Sequence, residues 1–385
     1  MTNTATETEL DNGPAAIMPR PRGRGALSNR SGRFEPTTTE LVDDGWRSLE
    51  GDPEHEIAPE IGAQLQTIIG IDTSRTIISR NDSPDIGFDR SINPYKGCEH
   101  GCIYCYARPT HTYLGFSAGV DFERRIFAKP NAPELLREAL AKPGYRPQVI
   151  VIGANTDPYQ PIERQMAITR QILQIMAETR HPVGLITKSD LVTRDIDLLA
   201  DLARDNLVHV GMSVTTLDPK LARIMEPRAS TPAKRLAAIR AMSEAGIPVR
   251  IMTAPMIPGI NDDEMEKLLA SGSEMGADYA SYTMLRVPLE IEELVREWLD
   301  AHFPNKADKV FSLLRGAHGD RNNPDRAYNS QFGVRMRGAG AYADMLRQRF
   351  RATVTRLGLN SRTAAMPTDL FRRPTDNPDQ MGFGF

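Results

Sequence analysis

Short β-branched runs alternate with longer amphipathic stretches through the middle of this chain. Apolar residues are nearly continuous in Gln148–Gly153, Val183–Thr187, Val208–Val214, Val249–Thr253 and Tyr279–Met284. Runs of that length predict strands buried on both faces, as in a parallel sheet covered by helices. Between and after them a period near 3.6 predicts helices over Ile162–Glu178, Thr193–Arg204, Pro232–Ala245 and Asp262–Met275. Thr231-Pro232 opens the third helix and Gly246 follows it, the usual start and stop chemistry.

A strand running into Cys98 brings the count to six βα units, fewer than the eight of a closed barrel. The expected fold class is α/β: a partial, open (βα)6 TIM barrel, with an open doubly wound sheet as the alternative. Either way, ligands gather at the carboxyl ends of the strands. Residues 1–64 are rich in Thr, Gly, Pro, Arg and Asp, without periodicity, and are expected to form a mostly disordered tail. Within it "RPRGRG" (Arg20–Gly25) reads as a solvated basic run or a polyanion contact. The barrel is expected over 65–288. A helical extension over 289–385 has helices at Glu290–Phe303, Lys306–Leu314 and within 340–358, and "QMGFGF" at the end either folds back or frays.

Composition narrows the class. The 385 residues are 40% hydrophobic and 25% charged, ordinary for a soluble globular enzyme. With a net charge of −3, no global field demands a nucleic-acid partner. Charge is uneven, however: residues 315–373 hold twelve Arg, no Lys and four Asp, a local balance of +8. That keeps a polyanion in play, since arginines on phosphate give salt-sensitive, sequence-independent affinity. The plainer reading of "GAYADMLRQRFRATVTRLG" is an amphipathic helix whose Tyr342, Leu346, Phe350 and Leu357 face the barrel while its arginines sit in water. The first residues lack a basic n-region and an apolar h-region, and no apolar run approaches the ~20 residues of a membrane span. A cytoplasmic protein is expected.

All three cysteines lie in "NPYKGCEHGCIYCYARPTH", at Cys98, Cys102 and Cys105. So few, so closely spaced, they cannot make a disulfide framework, and a reducing compartment follows. Three chemistries compete. Structural zinc needs a fourth ligand, and His100, lodged between two of the cysteines, is badly placed to reach the same ion. A dithiol redox pair at Cys102 and Cys105 leaves Cys98 unexplained. An iron–sulfur cubane normally takes four thiolates; with three, one iron stays open to a small molecule.

C-x3-C-x2-C with Tyr104 before the last cysteine resembles the radical S-adenosylmethionine (SAM) superfamily. The flanking "NPYKGCEHGCIYCYAR" is similar to the subgroup containing spore photoproduct lyase, and the resemblance covers residues from about 65 to about 290. It implies that Cys98, Cys102 and Cys105 hold a [4Fe–4S] cluster, that SAM binds the open iron, and that a 5′-deoxyadenosyl radical abstracts hydrogen from a substrate. It also implies an electron donor such as a flavodoxin or ferredoxin. The rival is a zinc-stabilised nucleic-acid-binding protein without radical chemistry. Gly97 and Gly101 would let the backbone wrap the cluster.

The resemblance makes several strand-end residues candidates for SAM contacts. They are Asn155, Thr156 and Asp157 for the amino group, Lys188 and Arg228 for the carboxylate, Ser213 for ribose or carboxylate, and Tyr104 near the adenine. For each a structural role competes: a turn and helix cap at Asp157-Pro158, a solvated charge at Lys188, a salt bridge between Arg228 and Glu226, core packing for Tyr104. "APMIPGIND" (254–262) takes the place of the adenine-side loop. The lyase family also uses a fourth cysteine as hydrogen donor. This chain has none, and Tyr159 or Tyr282 are the candidates to replace it.

Overall fold

The computed structural model describes residues 23–35, 65–318, 326–362 and 365–374. Its strands are β1 (Ile68–Ile71), β2 (Ser79–Arg80), β3 (Arg90–Ile92), β4 (Tyr95–Lys96), β5 (Arg125–Ala128), β6 (Ile150–Ile152), β7 (Val183–Thr187), β8 (Val208–Ser213), β9 (Val249–Met256) and β10 (Tyr279–Met284). β3, β6, β7, β8, β9 and β10 lie side by side in chain order, every neighbouring pair parallel. β2 adds an antiparallel edge beside β3. Six parallel strands with intervening helices make the expected partial barrel. A small second sheet, ordered β1-β5-β4, flanks the cysteine segment.

The core follows from the strand sequences. Val183 and Leu185 of β7, Val208, Val210 and Met212 of β8, and Val249 and Ile251 of β9 are buried. Ile172, Leu173, Leu199, Leu202, Ile239 and Leu268 bring the buried faces of the covering helices to the same core. In β7 and β9 these buried positions alternate with half-buried ones, whereas β6 is buried throughout and β8 at every position but His209.

Several boundaries differ from the pattern's expectation. The helix expected over 162–178 is two, Glu163–Met166 and Ile168–Glu178, parted at Ala167 with φ 49°. The buried Glu163 carboxylate accepts the amides of Thr169 (3.1 Å) and Arg170 (3.4 Å), satisfying the first free N–H groups of the second helix. Thr193–Arg204 divides into a 3₁₀ turn over Asp190–Asp195 and a helix over Ile196–Arg204. β9 runs on to Met256, which pairs with Met284 across a register shift. The helix Ala132–Ala141 and the second sheet lie outside the expected elements.

The C-terminal helices Ile291–His302, Ala307–His318 and Ala341–Leu357 pack back onto the barrel. Trp298 Nε1 donates to the Ile224 carbonyl at 2.9 Å, and the Phe350 ring lies 4.7 Å from that of Tyr282. The last helix does not leave all its arginines in water: Arg349 pairs with Glu266 at 2.6 Å and donates to the Asp262 carbonyl.

The N-terminal tail contains a fixed piece. Residues 23–35 cross beside the cysteine segment, and Arg24 is buried there instead of solvated. Its guanidinium donates to the carbonyls of Glu123 (2.5 Å) and Leu65 (2.7 Å). Residues 1–22 and 36–64, and the terminal "QMGFGF", lie outside the described residues.

Candidate active site

The sequence from Asn93 builds the mouth of the barrel step by step. The Asn93 Oδ1 accepts the amides of Asn155 (2.9 Å) and Thr156 (3.4 Å), tying the exit of β3 to the loop after β6. The Tyr95 hydroxyl donates to the buried Glu163 at 2.5 Å. Gly97 then turns the chain at φ 75°, where an added Cβ would stand 2.9 Å from the carbonyls of Phe122 and Arg125. Cys98 leaves this turn with its amide donating to the Phe122 carbonyl at 2.9 Å.

Each residue between Cys98 and Cys102 is held. The Glu99 carboxylate accepts from Thr67 Oγ1 (2.7 Å) and the Ile162 amide (2.8 Å) and pairs with Arg228 (3.1 Å), while its own amide donates to Gln160. His100 Nδ1 faces Asp157 at 3.2 Å. Gly101 has φ 68°, and its carbonyl accepts from the buried Arg108 at 3.2 Å. Arg108 also donates to the carbonyls of Cys102 (2.9 Å), Ala118 (3.1 Å) and Gly119 (2.9 Å), and pairs with the buried Glu123.

The three thiols act on one another electrostatically. Burial pushes Cys98 well above the ordinary thiol range, and Asp157 and the other two cysteines add to the effect. Burial likewise pushes Cys102 up to about 12, against the opposing pull of Lys188. Thiols so disfavoured as thiolates are poor redox nucleophiles at neutral pH, whereas a bound metal centre supplies the positive charge that deprotonates them. The backbone N–H of Asp157 is directed at the Cys98 sulfur. Among the described residues, no three His, Cys, Asp or Glu side chains converge tightly enough to hold a single metal ion.

Around the thiols the strand ends supply charge. Asp157 accepts from Thr187 Oγ1 (2.7 Å) and the Lys188 amide (2.7 Å). Burial alone would raise its carboxyl; His100, Thr187 and that amide together hold it down to about 2. Lys188 stands over the Tyr104 ring, 5.8 Å from its centroid. Tyr104 is buried, its hydroxyl donating to Glu226, which also accepts from Thr215 Oγ1 at 3.0 Å and pairs with Arg235. Ser213 is buried with its hydroxyl on the Ala254 carbonyl, and Thr156 Oγ1 donates to the Tyr95 carbonyl at 2.6 Å. Asn155, Asp157 and Lys188 therefore collect at one mouth with the thiols. Arg228 does not pair with Glu226, as their spacing suggests; it turns to Glu99 and Thr67 (3.2 Å), because Arg235 from the following helix occupies Glu226. Of the two tyrosines named as hydrogen donors, Tyr159 donates to Asp195 at 3.1 Å, whereas the Tyr282 ring packs on Phe350.

Comparison with known proteins agrees with this geometry. The radical SAM superfamily model matches residues 92–271, from the end of β3 into the helix after β9. An uncharacterised protein of Mycobacterium tuberculosis is 38% identical over 230 residues, covering 59% of this chain and 68% of that one. The chain belongs to the radical SAM superfamily. An uncharacterised protein of Acidianus two-tailed virus is 30% identical over 240 residues, 58% of this chain and 78% of its own. Spore photoproduct lyase complexed with dinucleoside spore photoproduct superposes with a TM-score of 0.54 at 15% identity, covering 76% of this chain and 80% of that one. At that identity the likeness speaks for the fold. The protein is thus a radical SAM enzyme on a spore photoproduct lyase-like scaffold, and no described helix is long and apolar enough to cross a membrane.

Sequence reasoning missed Arg108, Glu123, Arg24, Glu99 and Arg235, the charged residues that shape the loop. Arg108 and Glu99 lie within or just past the cysteine motif and Arg24 within the basic run 20–25, but nothing in the pattern marks their partners; Glu123 and Arg235 are unmarked by any pattern.

Proposed function

We propose that Cys98, Cys102 and Cys105 ligate a [4Fe–4S] cluster that binds SAM at its fourth iron, and that the enzyme abstracts hydrogen from an organic substrate. The carrying observation is the set of three free thiols, two buried and one half-buried, held in one loop at the carboxyl ends of parallel strands. When bound, the cluster would supply the electron that splits SAM into methionine and a 5′-deoxyadenosyl radical. The chain's own residues bind and orient. Lys188 offers a point charge for the SAM carboxylate. Asp157 and Asn155 line the amino side, with Asp157 kept anionic by its donors. Tyr104 and Ser213 support that wall from behind, their hydroxyls already committed. Residues 65–288 would form the catalytic barrel and 289–385 an extension buttressing β10. A flavodoxin or ferredoxin would serve as reductant, and the arginines of 315–373 leave a nucleic-acid substrate open.

Anaerobically purified protein is expected to be brown, with about four iron and no stoichiometric zinc per chain. After reduction it should release 5′-deoxyadenosine from SAM. A colourless zinc protein without turnover would overturn the reading in favour of a zinc-stabilised binding protein.

A further inference from the structure

Residues 23–35 look like tail in the sequence, yet they touch the loop carrying Cys98 and Cys102. Glu123 is the joint. Its buried carboxylate accepts the Gly25 amide at Oε2 and the Ala26 amide at Oε1, both at 2.8 Å, and on the other side it pairs with Arg108. Arg108 in turn holds the carbonyls of Gly101 and Cys102. Two backbone amides from the N-terminal segment and one guanidinium from the cysteine loop therefore share a single acceptor.

The approach is close enough to exclude a side chain. A Cβ on Gly25 would fall 1.9 Å from the Gly101 carbonyl oxygen, so backbone lies directly on backbone between the first two cysteines. Arg24 reaches Thr67 Oγ1 at 3.2 Å, and that hydroxyl donates to Glu99, the residue after Cys98. Farther along, the Ser28 carbonyl and Asn29 Oδ1 accept the amides of Val120 (3.3 Å) and Asp121 (2.9 Å), in the short helix that carries Glu123. Arg30 and Arg33 pair with Glu297 (2.7 Å) and Glu290 (2.8 Å), so the segment is pinned at both ends.

We propose that residues 23–35 form a strap that serves as one wall of the cysteine loop, with Glu123 as the positioning residue joining strap to loop. On the cluster reading given above, the strap keeps Cys98 and Cys102, each 7% exposed, closed to solvent and fixed in spacing. Without the strap, the Glu123 carboxylate loses two of its three donors, and a buried carboxylate so deprived draws in water or pulls Arg108 out of register.

The test uses full-length G25A and E123Q, with R204A, an exposed arginine outside strap and cysteine loop, as the control. Metal-free protein is treated with iodoacetamide under native conditions, and alkylation at each cysteine is followed by mass spectrometry. Trypsin cleavage after Arg24 reports whether the strap has lifted, and thermal melting reports global folding. In G25A and E123Q, Arg24 should become cleavable and Cys98 and Cys102 should alkylate about tenfold faster or more, as expected of a local opening. Cys105, already partly exposed, should change little, and R204A should match wild type. The proposal is overturned if the strap lifts while the two thiols stay protected, or if Arg24 remains protected in G25A. Iron loss to a chelator, measured on loaded protein, should accelerate in the same variants. Should wild type bind no iron at all, the cluster reading fails by itself while the alkylation result still decides the strap.

Discussion

Lys188 Nζ stands 5.8 Å from the centroid of the Tyr104 ring, and against the cost of its burial the charges of Cys102 and Glu226 raise its affinity for a proton. An ammonium held there is ready to meet an incoming carboxylate without forming part of the loop. Lys188→Ala should therefore retain iron at the wild-type stoichiometry while weakening SAM about tenfold, or about 1.4 kcal/mol. Calorimetry of SAM binding to loaded protein, beside an iron assay, separates the two effects. Loss of iron with unchanged SAM affinity would move Lys188 from the cofactor to the scaffold.

Arg108 carries a different burden. It is fully buried, with one carboxylate and four carbonyls around its guanidinium. Lysine offers a compact charge but not the planar fork, so Arg108→Lys leaves several carbonyls without donors. Arg108→Met goes further and strands Glu123 as an unpaired buried charge, at a cost of about 3–5 kcal/mol. Chemical denaturation should rank wild type above Lys and Lys above Met. Equal stability of the two variants would mean that Glu123 finds other partners.

Acid stability has a source other than the thiols. His111, His181 and His318 are fully buried, and burial pushes each down to about 4 from the usual 6.5. Unfolded, these rings take up protons below pH 6.5; folded, they resist until about 4. The unfolded state thus binds more protons in that window. Stability that is complete above it drains away as pH falls through it, with a limit of about 3 kcal/mol for each ring. His111 lies among Phe122, Phe116 and Phe127, at 5.5, 5.7 and 6.1 Å. His111→Phe should hold or raise the melting temperature at neutral pH and lessen its fall toward about pH 5. A melting curve whose pH slope is unchanged would show that His111 is protonated in the fold.

What could be read in advance depended on how each contact is made. Val183–Thr187 and Tyr279–Met284 are strands residue for residue, because a buried face backed by a half-buried one leaves no charged residue in either run. The cysteine triad was equally plain, since all three thiols sit on one short stretch of chain. The strap left no such trace: backbone amides, the buried Arg24 and the ion pairs of Arg30 and Arg33 hold it, and none of these produces periodicity. The break at Ala167 was hidden for a related reason, as it depends on Glu163 reaching forward to Thr169 within an otherwise regular helical pattern. Glu226 and Arg228 are natural partners at a spacing of two, but the helix beginning at Pro232 brings Arg235 inward to take the carboxylate.

Arg228 offers the sharpest separation between family expectation and local geometry. Family resemblance makes it a clamp for the SAM carboxylate, whereas here it pairs with Glu99 at 3.1 Å and reaches Thr67 at 3.2 Å. With those partners, Arg228→Ala should leave SAM affinity within about twofold, a change below the ~1 kcal/mol typical of a lost hydrogen bond. Its effect should instead appear at Glu99, a nearly buried carboxylate left with the Thr67 hydroxyl and the Ile162 amide. Faster iron loss to a chelator is then expected, since Glu99 directly follows Cys98, and Glu99→Gln in the Arg228→Ala background should recover part of it by removing the uncompensated charge. A large drop in SAM affinity without change in iron retention would return Arg228 to the cofactor and show that its pairing with Glu99 is broken when SAM binds.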